Sequence, residues 1–402
     1  MASEPLANQP FLVRNLKRTL RNLLAVGQIF AVVPWDVEPF EPEPAHALCW
    51  FRKFIRVAHA VYSIVIIVAV GAATLFHHSD IVSSDFFAIR TLYFAEHIIT
   101  NIIILLIMTG GRFLRTFYST FGNEVLSIGH SLYICEASID FRLVEIIINR
   151  LVTGSLLYFC SLVVLDFLFN ADTSCEFICR TLVYTLPNTI HVFALHQYVA
   201  MQLLVCYFFR LINEVLVRYG DRSSKKVSDC TKLLERLRKA HLRLTNLTTQ
   251  LNDRFGILIL CTVLSSFVVL NLQLFNLYKV TEITRNRIWN SNDTLQLAYI
   301  LMWIGLHAAK ILLILFPVHR GRLERDRTGP TLYQFALPCA TNDPASDVSM
   351  KFAGQLLHGT RPYKACGVIT LDLTLISKIV AALTTYLVIL IQFDSTFSPG
   401  SI

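Results

Sequence analysis

Seven stretches of the chain stay apolar long enough to cross a bilayer, which takes about 20 residues of helix. They are residues 54–76, 86–109, 148–170, 181–209, 255–278, 295–316 and 368–393. Between them the pattern turns amphipathic or polar. Residues 229–254 set Leu233, Leu237, Leu244, Leu247 and Leu251 at helical spacing, with Lys and Arg on the other face. No Pro or Gly intervenes before Gly256. The spacing therefore predicts one helix running unbroken into the fifth span and projecting about 35 Å beyond it, at roughly 1.5 Å per residue. Two arrangements fit: a helix lying on the membrane surface, or a bundle outside the membrane to which Met350, Phe352, Leu356 and Leu357 bring a partner face. Residues 23–33 are apolar but too short to span, and Pro34 ends them. Behind the basic stretch Arg14 to Arg21 they read as an interfacial or re-entrant helix. The fold class is all-α, a polytopic membrane protein.

Composition agrees. Of 402 residues 54% are apolar and 16% charged, with a mean hydropathy of +0.53. A soluble domain averages roughly 45–50% apolar and about 25% charged. The net charge of +8 would suggest nucleic acid in a soluble chain. Its distribution suggests a membrane instead. With a cytoplasmic N-terminus, the inside pieces 1–53, 110–147, 210–254 and 317–367 hold 27 Lys and Arg, and the outside pieces 77–85, 171–180, 279–294 and 393–402 hold 4. Cytoplasmic loops collect basic residues, so the expected topology is N-terminus in, C-terminus out, with no nucleic-acid partner. The sequon Asn292-Asp293-Thr294 then falls outside as a possible glycosylation site, and Asn246-Leu247-Thr248 falls inside.

Several classes are excluded. Ten Cys in a chain of this length form no disulfide framework. Cys175 and Cys179 share a short polar loop, as two thiols or as a disulfide to each other or to a neighbouring chain. No zinc-type spacing, nucleotide loop or nucleophile motif occurs, so neither metal nor cofactor nor enzymatic activity is expected. The adjacent His77 and His78 lack a third ligand, and Glu38 to Pro44 reads as a stiff solvated segment. Met1 to Asn22 lacks the apolar core of a signal peptide. A G-protein-coupled receptor would place its N-terminus outside and carry Asp-Arg-Tyr and Asn-Pro-x-x-Tyr motifs that are missing here. A transporter would show internal repeats, and none is found.

The end of the last span reads Thr385-Tyr386-Leu387-Val388-Ile389-Leu390-Ile391-Gln392-Phe393. It resembles the signature of the insect gustatory receptor family: Thr-Tyr, five hydrophobic residues, Gln-Phe. The likeness extends back through Ala365-Cys366-Gly367 to Phe352, about 45 residues in all. The resemblance implies a tetrameric, ligand-gated cation channel whose seventh helices line a pore. Gln392 and Phe393 would form its outer gate, and 210–254 with 340–366 an anchoring bundle. The residues themselves allow this. Thr385 and Gln392 lie about 20° apart around a helix, with Val388, Ile389 and Ala381 within about 60° of the same line. Gln392 either joins a hydrated ring or reaches the outer headgroups from a helix end. Lys378 is also about 20° from that line. In a pore it must sit in a wide vestibule, turn away, or pair, for instance with Asp372 of another chain.

Polar residues recur in the outer halves of spans two to six: Tyr93, Glu96, His97, Thr100 and Asn101; Asp166; Asn188 and His191; Asn271, Gln273 and Asn276; Gln296, Tyr299 and Trp303. They serve either helix-to-helix hydrogen bonding or a ligand pocket, and the resemblance implies a pocket there. Aromatic rings, amides and a carboxylate can hold a sugar, or an alkaloid whose amine pairs with Glu96 or Asp166. The family's sugar-sensing branch carries Glu after Thr-Tyr, where this chain has Leu387. The expected tastant is thus bitter or broad in class, with a fructose-type sugar receptor as the alternative. A metabotropic receptor of inverted topology and a transporter are the competing classes. The expected partners are a small-molecule tastant, membrane lipid, and other gustatory receptors in a homo- or hetero-tetramer at the plasma membrane of chemosensory neurons. The expected division is a cytoplasmic region 1–53, helices one to four over 54–209 (part of the ligand-binding domain), an anchor 210–254, helices five and six over 255–316, a loop and anchor helix 317–367, a pore helix 368–393 and a tail 394–402.

Overall fold

The structure is a computed structural model that describes residues 10–35, 49–81, 87–170, 174–220, 227–285, 290–336, 344–359 and 362–397. The helices are α1 (Pro10–Ile29), α2 (Cys49–Ile81), α3 (Phe87–Ile134), α4 (Arg142–Asn170), α5 (Ser174–Arg180), α6 (Leu186–Gly220), α7 (Val227–Arg285), α8 (Ser291–Ala336), α9 (Pro344–His358) and α10 (Thr374–Phe397). A π-helical turn, Thr181–Thr185, joins α5 to α6. Seven stretches are long and apolar enough to cross a membrane: parts of α2, α3, α4, α7, α8 and α10, and the α5–α6 segment. The segment Glu38 to Pro44 lies outside the described residues, as do the side chains of His77 and His78 and the tail beyond residue 397.

α6 sits at the centre and touches α8, α7, α3, α4 and α1. It is buried over most of its surface, as a helix surrounded by others is, and it buries Phe193, Tyr198, Phe208 and Phe209 completely. α1 corrects the expectation for residues 23–33. Residues 23–29 are the second half of one 20-residue helix, because Leu12, Leu16 and Leu23 bury along one face shared with the basic stretch, and 30–33 form the turn that follows it. Arg18 pairs with Glu145 of α4 at 2.9 Å. The chain leaves this helix through Ala31, whose φ is 57°.

α7 runs 59 residues without a break. Leu233, Leu237, Leu244, Leu247 and Leu251 are all buried, so its first half lies in a helical bundle with α3, α8 and α9 and not alone on a surface. α9 supplies Phe352, fully buried against the His241 ring at 5.6 Å. Met350 and Leu357, expected on the same face, point out of the bundle. Arg243 of α7 closes this end with Glu124 of α3 at 2.7 Å.

A second correction concerns the start of the last span. Residues 368–373 are not helical. Strands β1 (Lys364–Ala365) and β2 (Ile369–Thr370) form an antiparallel hairpin. Cys366 and Gly367 both have positive φ, and the Val368 amide donates to the Ala365 carbonyl at 3.0 Å. Positive φ at both central positions of this turn favours Gly at the second, and Val368 is the third loop residue before Ile369 pairs with Ala365. The hairpin presses on α7 at Gly256, where an added Cβ would meet the Cys366 nitrogen at 2.9 Å. α10 therefore begins at Thr374, with Asp372 as its cap: Oδ1 accepts from the Thr374 amide at 3.1 Å and from its hydroxyl at 2.5 Å.

Candidate ligand cluster and pore face

The π-helical turn and Pro187 shape the first site. Proline has no amide to donate and breaks regular pairing, and π turns recur where a helix must re-aim side chains. Here Tyr184 and Asn188 face the end of the bundle away from α9. The Asn188 amide donates to the Tyr184 carbonyl at 2.8 Å. The Tyr184 hydroxyl lies 3.5 Å from His97 Nε2 of α3, and the two rings are 5.3 Å apart. Tyr184 meets Trp303 of α8 edge-on at 6.2 Å, and Trp303 meets Tyr299 at 6.1 Å. Asp166 of α4 acts electrostatically on Tyr299. Asn276 of α7 donates to the Tyr93 hydroxyl at 3.5 Å.

At the floor lies a residue that is not among the candidates named from the sequence. Lys310 of α8 is completely buried, and its ammonium donates to Asn188 Oδ1. Buried Glu96 of α3 is the carboxylate whose charge acts on it. Lys310, His307 and Trp303 recur at helical spacing, which is the sequence signal that marks Lys310. His307 is buried, and neither ring nitrogen has a hydrogen-bond partner among the described residues.

Most expected ligand residues are therefore brought together: Tyr93, Glu96, His97, Asp166, Asn188, Asn276, Tyr299 and Trp303. Three make no hydrogen bond to the cluster: His191, within electrostatic reach of Lys310 and His307, bonds Thr262 of α7 at 2.8 Å, Asn271 bonds its own helix at Phe267, and Gln273 is buried. Asn101 likewise donates to the His97 carbonyl at 2.8 Å. Neither Cys175 nor Cys179 is in a disulfide, and they lie in α5 and not in a loop.

The second site is a helix face. α10 buries Ile379, Leu383, Leu390 and Asp394 on the side toward α7, and Tyr386 stacks edge-on with Phe267 at 5.5 Å. The opposite side carries Lys378, Ala381, Thr385, Val388, Ile389 and Gln392, all exposed, with Phe393 beside them at 51% exposure. Asp394, next to Gln392 and Phe393, pairs with Lys279 of α7. At the other end, the Thr374 hydroxyl holds the Asp372 carboxyl below the usual carboxylate range, and the charge of Lys378 adds slightly to this.

The description 7tm Chemosensory receptor belongs to the family model that matches residues 20–397. The chain is a member of that family. Among curated proteins this receptor is similar to the putative gustatory receptor 59f of Drosophila melanogaster, 24% identical over 215 residues, which are 53% of this chain and 50% of that one. It is similar to the gustatory receptor for sugar taste 43a of the same species, 28% identical over 165 residues, 41% of this chain and 36% of that one. The chain thus spans half or less of the length of the curated relatives it matches. Its fold is similar to that of the insect olfactory receptor OR5 from Machilis hrabei, with a TM-score of 0.56 at 10% identity over 94% of this chain and 99% of that one. The same receptor in complex with eugenol matches with a TM-score of 0.51. The fold of a chemosensory receptor with seven candidate spans is what these likenesses establish.

Proposed function

We propose that this receptor is a taste receptor working as a ligand-gated, non-selective cation channel. It assembles as a homo- or hetero-tetramer in the plasma membrane of a chemosensory neuron, N-terminus inside and C-terminus outside. One observation carries the reading: α10 leaves uncovered the face that holds Thr385, Val388, Ile389 and Gln392. Lipid would tolerate the apolar members. The polar members, Thr385 and Gln392, suit a hydrated path better than hydrocarbon, and the Thr385 hydroxyl is seated on its own helix, donating to the Ala381 carbonyl at 3.0 Å. Four such faces around an axis give a hydrated path with polar rings and an apolar constriction, the elements from which pores select and gate. Gln392 and Phe393 form the outer gate, and 210–254 with 340–366 anchor the tetramer, which also covers Met350 and Leu357. The 27-to-4 split of Lys and Arg supports the orientation. Asn292, exposed in the first turn of α8, is then the outward glycosylation site.

The cluster around Trp303 and Lys310 is the tastant site. Asn276 touches it and Lys279 lies about one turn further along α7, so the Lys279–Asp394 pair links the tastant site to the gate. A polyhydroxylated ligand suits a buried ammonium, a carboxylate, amides and aromatic rings at one site. The similarity to a receptor for sugar taste supports that class. A bitter or broadly tuned receptor is the second reading, favoured by Leu387 and by the rings of Tyr93, Tyr184, Tyr299 and Trp303 in the cluster that holds Glu96.

The test is current from the purified receptor in liposomes, screened against sugars and bitter compounds. Unitary cation currents with one class are expected. Silent liposomes, together with cellular responses that vanish when G-proteins are blocked, would remove the channel reading. Saturable uptake without unitary steps would favour a transporter.

A further inference from the structure

A cleft of about 190 Å³ opens between α3, α7 and the turn after α1. Its walls are apolar: Leu106, Ile107 and Leu114 of α3, Ile257 and Leu258 of α7, and Val32. Two features set it apart from a packing defect. Gly110 lines it, and a Cβ added there would meet nothing within 4 Å, so the missing side chain leaves real space. Gly111 beside it is a packing glycine, since its Cβ would meet the Val32 carbonyl at 3.1 Å. At the mouth stands Arg254, exposed and in no ion pair with the described residues. Two arginines earlier in α7 behave differently: Arg243 and Arg238 are both paired with glutamates.

The position is informative. The candidate span of α3 ends at Gly111, and the apolar run of α7 begins directly after Arg254. The cleft therefore straddles the plane where two helices pass from hydrocarbon to water. Ile257, 55% exposed, flanks it on the lipid side. An apolar slot inside that plane with a free guanidinium at its edge matches an acyl chain below an anionic headgroup.

We propose that this cleft binds an anionic phospholipid of the adjoining leaflet. One acyl chain lies along Gly110 between Ile107 and Leu258, and the headgroup phosphate and its added negative charge meet Arg254. With the topology proposed above, that leaflet is the cytoplasmic one. Binding itself depends on neither the channel reading nor the orientation.

The test uses the full-length receptor in nanodiscs of mixed phosphatidylserine and phosphatidylcholine. It is followed by native mass spectrometry of retained lipid and by labelling with a phospholipid that carries a diazirine on its acyl chain. The wild type is expected to retain phosphatidylserine over phosphatidylcholine by about fivefold, the preference for one basic residue. Cross-links should fall on residues 106–118 and 254–258. Arg254→Gln should erase the preference and keep the acyl cross-links. Gly110→Leu should lose the cross-links. Thermal unfolding of both variants identifies any that fail to fold, and Arg254→Gln, at an exposed position, keeps the test decisive if Gly110→Leu does. Unchanged selectivity in Arg254→Gln, cross-links elsewhere, or displacement by free fatty acid but not by phospholipid would each overturn the proposal. Loss of current with retained lipid would count against the channel alone.

Discussion

α6 and α10 reverse the usual order of burial. α6 interrupts its apolar run with His191, His196, Gln197, Gln202 and Asn213, yet all five are buried. α10 has no such interruptions between Ile379 and Leu383, and it is the least covered of the seven spanning stretches. In water the greasier helix would go inside. In a bilayer lipid is as apolar as leucine, so helices sort by where polar groups find partners. α6 satisfies its amides inside. Tyr198 donates to Asn252 Oδ1 at 2.7 Å, and Gln202 donates to the same oxygen at 2.9 Å. The face of α10 that holds Thr385 and Gln392 stays exposed within one chain, and in the channel reading proposed above it turns to water.

The strongest way to break this comparison is to truncate one side chain on each helix. Phe208→Ala, in the core of α6, should cost about 3–5 kcal/mol. Ile389→Ala, 39% exposed on α10, should cost less than about 1 kcal/mol in a dissociated subunit. Thermal unfolding of detergent-solubilised protein measures both. Equal losses would mean that the α10 face is covered within one chain.

The next effect tests the polar floor of the ligand cluster. Asn188→Ala leaves the Lys310 ammonium buried without its amide acceptor and should cost about 1–3 kcal/mol. Lys310→Met removes the charge along with the need for a partner and should be milder. Both should abolish the tastant response. If Lys310→Met proves the more damaging to stability, the ammonium holds together more than Asn188.

Lys310 also marks the limit of what the sequence reveals. The spans are legible because a run of about 20 apolar residues has few other uses. The unbroken α7 is legible from leucine spacing and the lack of Gly or Pro. The partners of an in-span polar residue are not, since they lie on other helices: His191 and Asn188 sit three residues apart, yet one meets α7 and the other α8. The hairpin at 364–370 is equally hidden. Its strands have two residues each, and its Cys-Gly turn reads as part of the apolar run that follows.

A smaller effect is expected at the C-terminal end of α10. Lys279→Glu should lose the pair with Asp394 and change the concentration for half-maximal response by about fivefold, as about 1 kcal/mol would. The double variant Lys279→Glu with Asp394→Lys should restore it. A double variant no better than the single one would disconnect the pair from gating.

The N-terminal end of the same helix should respond least, and only to acid. Asp372 caps α10 through the Thr374 hydroxyl and amide, and these bonds hold its carboxyl below the ordinary value of 3.8. Because the folded state depresses this pKa, the ionised cap stabilises above the unfolded value. The contribution disappears as pH falls through the folded value, so the window lies below about pH 4. Exposure limits the effect to no more than about 1 kcal/mol. Asn caps a helix about as well as Asp but does not titrate. Asp372→Asn should therefore leave the neutral-pH melting temperature nearly unchanged and flatten its decline in acid. A variant that melts lower at pH 7 while keeping the wild-type acid slope would show that the carboxylate holds the helix start by something other than the cap, and the two ends of α10 would lose the contrast drawn between them.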